Sequence, residues 1–230
     1  MPSKRERTSS LAGRCARGDA SRPGLRRTHG SPIRNVPDTV PNSWSKSGEL
    51  AIQLLLDPHV TALAFRASLS FLGREVPLRM FVADLDDGGR VAFDIIDERL
   101  YRDLDTEGLL LLALESHNVR LIEIDHSEID AEPRASNTRR LWSHREHQVP
   151  APIKAAVDRA LATRQRLSIR SLARIAGLRD PMPTIGALVS QGILAVDPSK
   201  PLGSNSIVAR RSDPWRFPIA KSSRFSRANP

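Results

Sequence analysis

Residues 78–96, LRMFVADLDDGGRVAFDII, decide how this chain folds. Apolar and β-branched residues run through Met80-Phe81-Val82 and resume from Val91 to Ile96, while Asp86-Asp87-Gly88-Gly89 supplies the positive φ angles of a tight turn. The stretch reads as a β-hairpin. Residues 63–71 alternate ahead of it as a half-buried strand, with Gly73-Arg74 as the turn. Residues 98–117 then predict a helix with Leu100, Leu104, Leu110, Leu111 and Leu114 inward, and residues 119–125 a strand. A helix between two strands lays them parallel. Ahead of all this, residues 48–56 predict a short helix burying Leu50, Ile52 and Leu54, entered through Asn42-Ser43-Trp44-Ser45 and ended by Asp57-Pro58.

After residue 149 the character changes, and Pro150-Ala151-Pro152 reads as a linker. Helices are predicted over 153–163, over 168–176 ended by Gly177, and over 182–191 ended by Gly192. Residues 193–196 and 206–209 follow as a strand pair. Three helices and a small hairpin make a winged-helix arrangement. The third helix would then enter a DNA major groove, with Thr184 and Gln191 as its polar residues. Arg170, Arg174 and Arg179 would clamp phosphates, and Lys200, Arg210 and Arg211 lie on or beside the wing. Residues 182–187 are poor in side chains that read base edges, so protein docking stays open as the module's use.

The net charge of +9 is unevenly spread. Lys/Arg against Asp/Glu number ten against three in residues 1–46, seven against eighteen in 47–133, and eighteen against five in 134–230. An acidic centre sits between basic ends, and the carboxy-terminal excess points to a polyanion partner. Residues 1–41, rich in Arg, Ser, Gly and Pro, are expected to be disordered, with Arg5, Arg7, Arg14, Arg17, Arg26 and Arg27 able to follow a phosphate backbone. The division is then a basic segment (1–41), an α/β domain (42–149), an α+β winged-helix-like domain (150–211) and a basic tail (212–230). A single cysteine, Cys15, excludes an internal disulfide and a cysteine-built zinc site. No apolar run reaches the roughly 20 residues of a membrane span, so a cytoplasmic protein without membrane contact is expected.

The layout of the hairpin resembles the core of the PD-(D/E)XK nuclease superfamily, a restriction-endonuclease-like fold, and within it the TnsA-like transposase endonucleases. Those proteins carry Pro-Asp-Phe on one strand and Glu-x-Lys on the next. Arg79-Met80-Phe81 stands where the first motif would be, and Asp94-Ile95-Ile96 where the second would be. Asp57-Pro58-His59-Val60 matches the family's Asp-Pro-x-Val segment after a glutamate-bearing helix, which makes Glu49 the counterpart of that glutamate. TnsA-like proteins also carry a helix-turn-helix domain where residues 168–197 lie.

Such a site holds Mg²⁺ through two carboxylates and uses a lysine to steady charge on water or phosphate. Met80 and Ile96 supply neither, and no lysine occurs between Lys46 and Lys154. Arg99 or Arg102 could stabilise charge but not act as a base. Asp94 and Glu49 remain as vestigial catalytic residues, and Mg²⁺ would be a cofactor only for a rearranged site of Asp94, Asp84 and Glu49. Glu123, Asp125, His126 and Glu128 read as solvated or capping residues, and His144 and His147 as a polar helix face. The resemblance therefore implies a catalytically silent protein that binds DNA, or a transposase partner, in transposition or recombination. An active Mg²⁺-dependent endonuclease and a winged-helix transcriptional regulator are the alternatives.

Overall fold

The computed structural model describes residues 45–212. The basic segment 1–41 and the tail beyond Ser212 lie outside the described residues. Helix α1 (Lys46–Leu56) begins where the Ser45 side chain accepts the Gly48 N–H at 3.1 Å, and it ends at Asp57, which Pro58 drives out of helical geometry. Strands β1 (Val60–Phe71) and β2 (Arg74–Leu85) pair antiparallel, as do β2 and β3 (Arg90–Ile95). Gly88, at φ 85°, makes the tight turn in which the Leu85 N–H reaches the Gly89 carbonyl at 2.8 Å. Strand β4 (Arg120–Ile124) runs parallel to β3, giving a mixed sheet of order β1-β2-β3-β4.

Alternation along the strands gives the sheet two apolar faces. Phe81, Ala83, Val91, Phe93 and Ile95 cluster with Leu50, Leu54 and Leu55 of α1. Val76, Leu78, Met80, Val82 and Ala92 cluster with Leu110, Ala113 and Leu114 of α2 (Leu104–Ser116). Helix α2 starts six residues later than the sequence predicts, because Asp103 caps it by accepting the Thr106 N–H at 2.8 Å. Of the five leucines expected inward, only Leu110 and Leu114 are buried; Leu100, Leu104 and Leu111 are exposed. A helix apolar all round offers periodicity no face to choose.

Helices α3 (His126–Ile129) and α4 (Arg134–Trp142) follow. Residues 143–146 form turns, so His144 and His147 share no helix. Helix α5 (Ala151–Thr163) begins within the expected linker, with Pro152 in its first turn, where a missing N–H costs nothing. Strand β5 (Arg166–Ser168), helices α6 (Ile169–Ala176) and α7 (Met182–Ser190), and strands β6 (Leu194–Val196) and β7 (Ile207–Arg210) complete the described chain. The second sheet is antiparallel, of order β5-β7-β6. Its core of Val157, Leu161, Leu172, Ile185 and Leu188 is continuous with Ile52 and Leu56 of α1 and Leu141 of α4. Helix α1 is thus apolar on two sides. The fold is α/β with a mixed sheet, and among the described residues no helix is long and apolar enough to cross a membrane.

Candidate functional site

Asp94 lies on the α2 side of β3 and is 3% exposed. A carboxylate so placed must be paired. Arg102 supplies the pairing, donating from Nη1 to Oδ2 at 2.8 Å and from Nη2 to Oδ1 at 3.4 Å, while Nη1 also reaches Glu107 at 3.3 Å. Arg99 stands 3.7 Å from the same Oδ2 and donates to Glu123 at 2.6 Å. The parallel register sets Glu123 directly beside Asp94. Burial works against the charge on Arg102, but the hydrogen bonds and fields of Asp94 and Glu107 outweigh it and raise its pKa. The bond to Glu123 is the main cause that raises the pKa of Arg99.

Asp94, Arg99 and Arg102 line an open pocket of about 550 Å³ together with Met80, Tyr101 and Arg79. Arg79, at φ 52°, sits in the irregularity where β2 gains a residue over β1. Met80 presents a thioether on the buried face, and Ile96 has left the strand for a 3-10 turn.

The carboxylates of a rearranged metal site are not brought together. Glu49 is held on α1 by Arg139 at 2.8 Å and Lys46 at 3.1 Å. Asp84 bonds Arg90 at 2.9 Å and pairs with it across the hairpin, four residues along β3 from Asp94. At about 3.3 Å per residue, that is about 13 Å of strand. No group of three or more His, Cys, Asp or Glu among the described residues could hold a metal ion. Two guanidiniums stand where a divalent cation would have to approach Asp94, so these residues do not fit Mg²⁺. Asp125, read as solvated or capping, does cap α3 through the Glu128 N–H at 2.8 Å.

The expected DNA-reading residues need more correction. Helix α7 is buried from Thr184 to Val189, and Thr184 is 4% exposed, because α4 lies across it. The approach is so close that a Cβ on Gly186 would stand 2.7 Å from the Leu141 carbonyl oxygen. The wing loop is drawn in as well, since Asn137 of α4 donates to the Pro198 and Lys200 carbonyls at 2.8 and 2.7 Å. Thr184 therefore cannot meet a base edge. Gln191 is exposed, one residue beyond α7.

Arg211 is a structural clamp: it donates to the carbonyls of Leu55, Asp57 and Val60 at 3.0, 2.7 and 2.5 Å, satisfying orphan acceptors at the end of α1. Burial lowers its pKa, and the Asp57 charge acts the other way. Arg210 donates to the Asp158 carbonyl at 2.7 Å. Lys200 stays exposed, 3.8 Å from Asp197. Arg170, Arg174 and Arg179 are exposed, and Arg170 touches the Ser204 hydroxyl at 3.0 Å.

The chain matches no protein-family model and no curated protein.

Sequence reasoning missed α4 and the parts played by Glu107 and Glu123. Helix α4 buries only Ala135 and Leu141 as apolar residues, with Asn137 and Thr138 beside them. That leaves little apolar periodicity to detect. Glu107 and Glu123 carry no local signal, because the arginines they meet, Arg102 and Arg99, lie in the loop between the 3-10 turn and α2 and are brought to them by the fold rather than by a fixed helical or strand spacing.

Proposed function

We propose that this chain is a TnsA-like, nuclease-fold protein without nuclease activity, which binds DNA during transposition or recombination. The observation that carries the catalytic half is the closure of Asp94 by Arg102. An ion pair occupies the place where the superfamily resemblance puts metal chemistry. A helix, three antiparallel strands, a helix and a parallel strand in that order support the nuclease-like reading. The order α5, β5, α6, α7, β6, β7 supports a winged-helix-like reading of the second part. DNA is the favoured polyanion because residues 134–230 hold eighteen Lys/Arg against five Asp/Glu, and several arginines of α5 and α6 are exposed.

A regulator acting through the carboxy-terminal module alone is disfavoured, since deleting residues 1–149 would strip Ile52, Leu56 and Leu141 from that module's core.

The test incubates supercoiled plasmid and a labelled duplex with the full chain and Mg²⁺ or Mn²⁺, beside Asp94→Ala. Duplex binding without cleavage by either protein is expected. Metal-dependent nicking that disappears in Asp94→Ala would overturn the proposal.

A further inference from the structure

Residues of α5, its C-cap Arg164 and α6 line an open groove of about 510 Å³. Arg159, Arg164 and Arg174 line it, with the hydroxyl residues Thr163 and Ser171 and the half-exposed Ile175. No Asp or Glu is among its lining residues. The nearest acid in sequence, Asp158, turns instead to Arg210, 3.9 Å away. Arg159 makes only a long 3.4 Å bond from Nε to the Ala155 carbonyl, and the Ser171 hydroxyl oxygen accepts from Ser168 at 2.9 Å, which leaves its own proton to donate.

Three guanidiniums around one groove repel each other, whereas Arg99, Arg102 and Arg139 elsewhere in this chain are each paired with an acid. A groove lined by three guanidiniums and two hydroxyls, with no carboxylate in its lining, is complementary to phosphodiester oxygens. Meanwhile α4 covers α7 and holds the wing loop, so the elements that would read bases are occupied within the chain.

We infer that the α5–α6 groove is the phosphate-backbone site for duplex DNA, and that this protein grips DNA without reading its sequence. The inference rests on the DNA-binding reading above and specifies its surface. Each neutralised phosphate contributes about 0.9 to the slope of log affinity against log salt.

The experiment measures fluorescence anisotropy of two unrelated labelled duplexes across a salt series, using the full chain. The Arg159→Gln/Arg164→Gln/Arg174→Gln variant is compared with a control neutralising Arg66, Arg74 and Arg90, which are also exposed but lie on β1, β2 and β3, away from the groove and from the pocket around Asp94. All six are surface residues, and circular dichroism checks folding. The wild type should bind both duplexes equally, and the groove variant should lose about 2.7 from the slope, while the control loses less than about one. Equal losses in the two variants, or none in the groove variant, would overturn the groove. A strong preference for one duplex would overturn the backbone assignment. Failure of the wild type to bind either duplex at low salt would instead sink the function proposed in the preceding section.

Discussion

Arg102 and Asp94 show how far a single pair can redefine a site. A metal-binding carboxylate is crowded by other carboxylates, and removing one from a metal-free protein relieves repulsion. Here removal should act in the opposite direction, because it strands a guanidinium that is only 15% exposed. Breaking one side of a buried pair costs about 3 kcal/mol at the low end of the usual range, which suits a partner with residual exposure. Asp94→Ala should therefore lower stability by about that amount in urea titrations, and adding Arg102→Met should recover most of the loss. A stabilised Asp94→Ala protein would mark a carboxylate site after all. The presence of Asp94 and the availability of Arg99 and Arg102 were legible in the sequence. The buried state of Thr184 was not, since a threonine in a small-residue helix looks the same whether it faces solvent or another helix.

At the scale of elements, legibility followed the strength of the local signal. Helix α1, the hairpin, β4 parallel to β3, and helices α5 to α7 follow from apolar periodicity punctuated by Pro and Gly. Strand β5 is three residues long and α4 is mostly polar, so neither announces itself. Helix α4 nonetheless decides what α7 can do. In a module whose third helix is open to solvent, Gly186→Ala would improve helix propensity and stabilise by up to about 1 kcal/mol. Under α4, the new methyl meets the Leu141 carbonyl oxygen at 2.7 Å and the His144 Cβ at 2.8 Å, neither of which is a flexible chain end. The variant should lose about 1–3 kcal/mol. Its denaturation midpoint gives the sign directly, and a gain would mean that α7 is open in solution.

Across the molecule, the decisive feature is that α1 belongs to both cores. Leu50, Leu54 and Leu55 pack on the sheet, while Ile52 and Leu56 pack among Val157, Leu161 and Leu188. Arg211, at the far end of the described chain, closes on the carbonyls at the end of the same helix. Periodicity could show that α1 was apolar, but a change of composition at residue 150 could not show that the chain returns to it. Two parts joined through a shared helix should open together. Native-state hydrogen exchange in low denaturant should give amides of β3 and α7 a common opening free energy. Leu56→Ala, which removes a side chain 2% exposed, should lower both by the same amount, about 2–5 kcal/mol. If the α7 amides lose protection while those of β3 keep theirs, the second module opens independently of the sheet. In that event α4 could lift from α7, and a base-reading surface would become reachable.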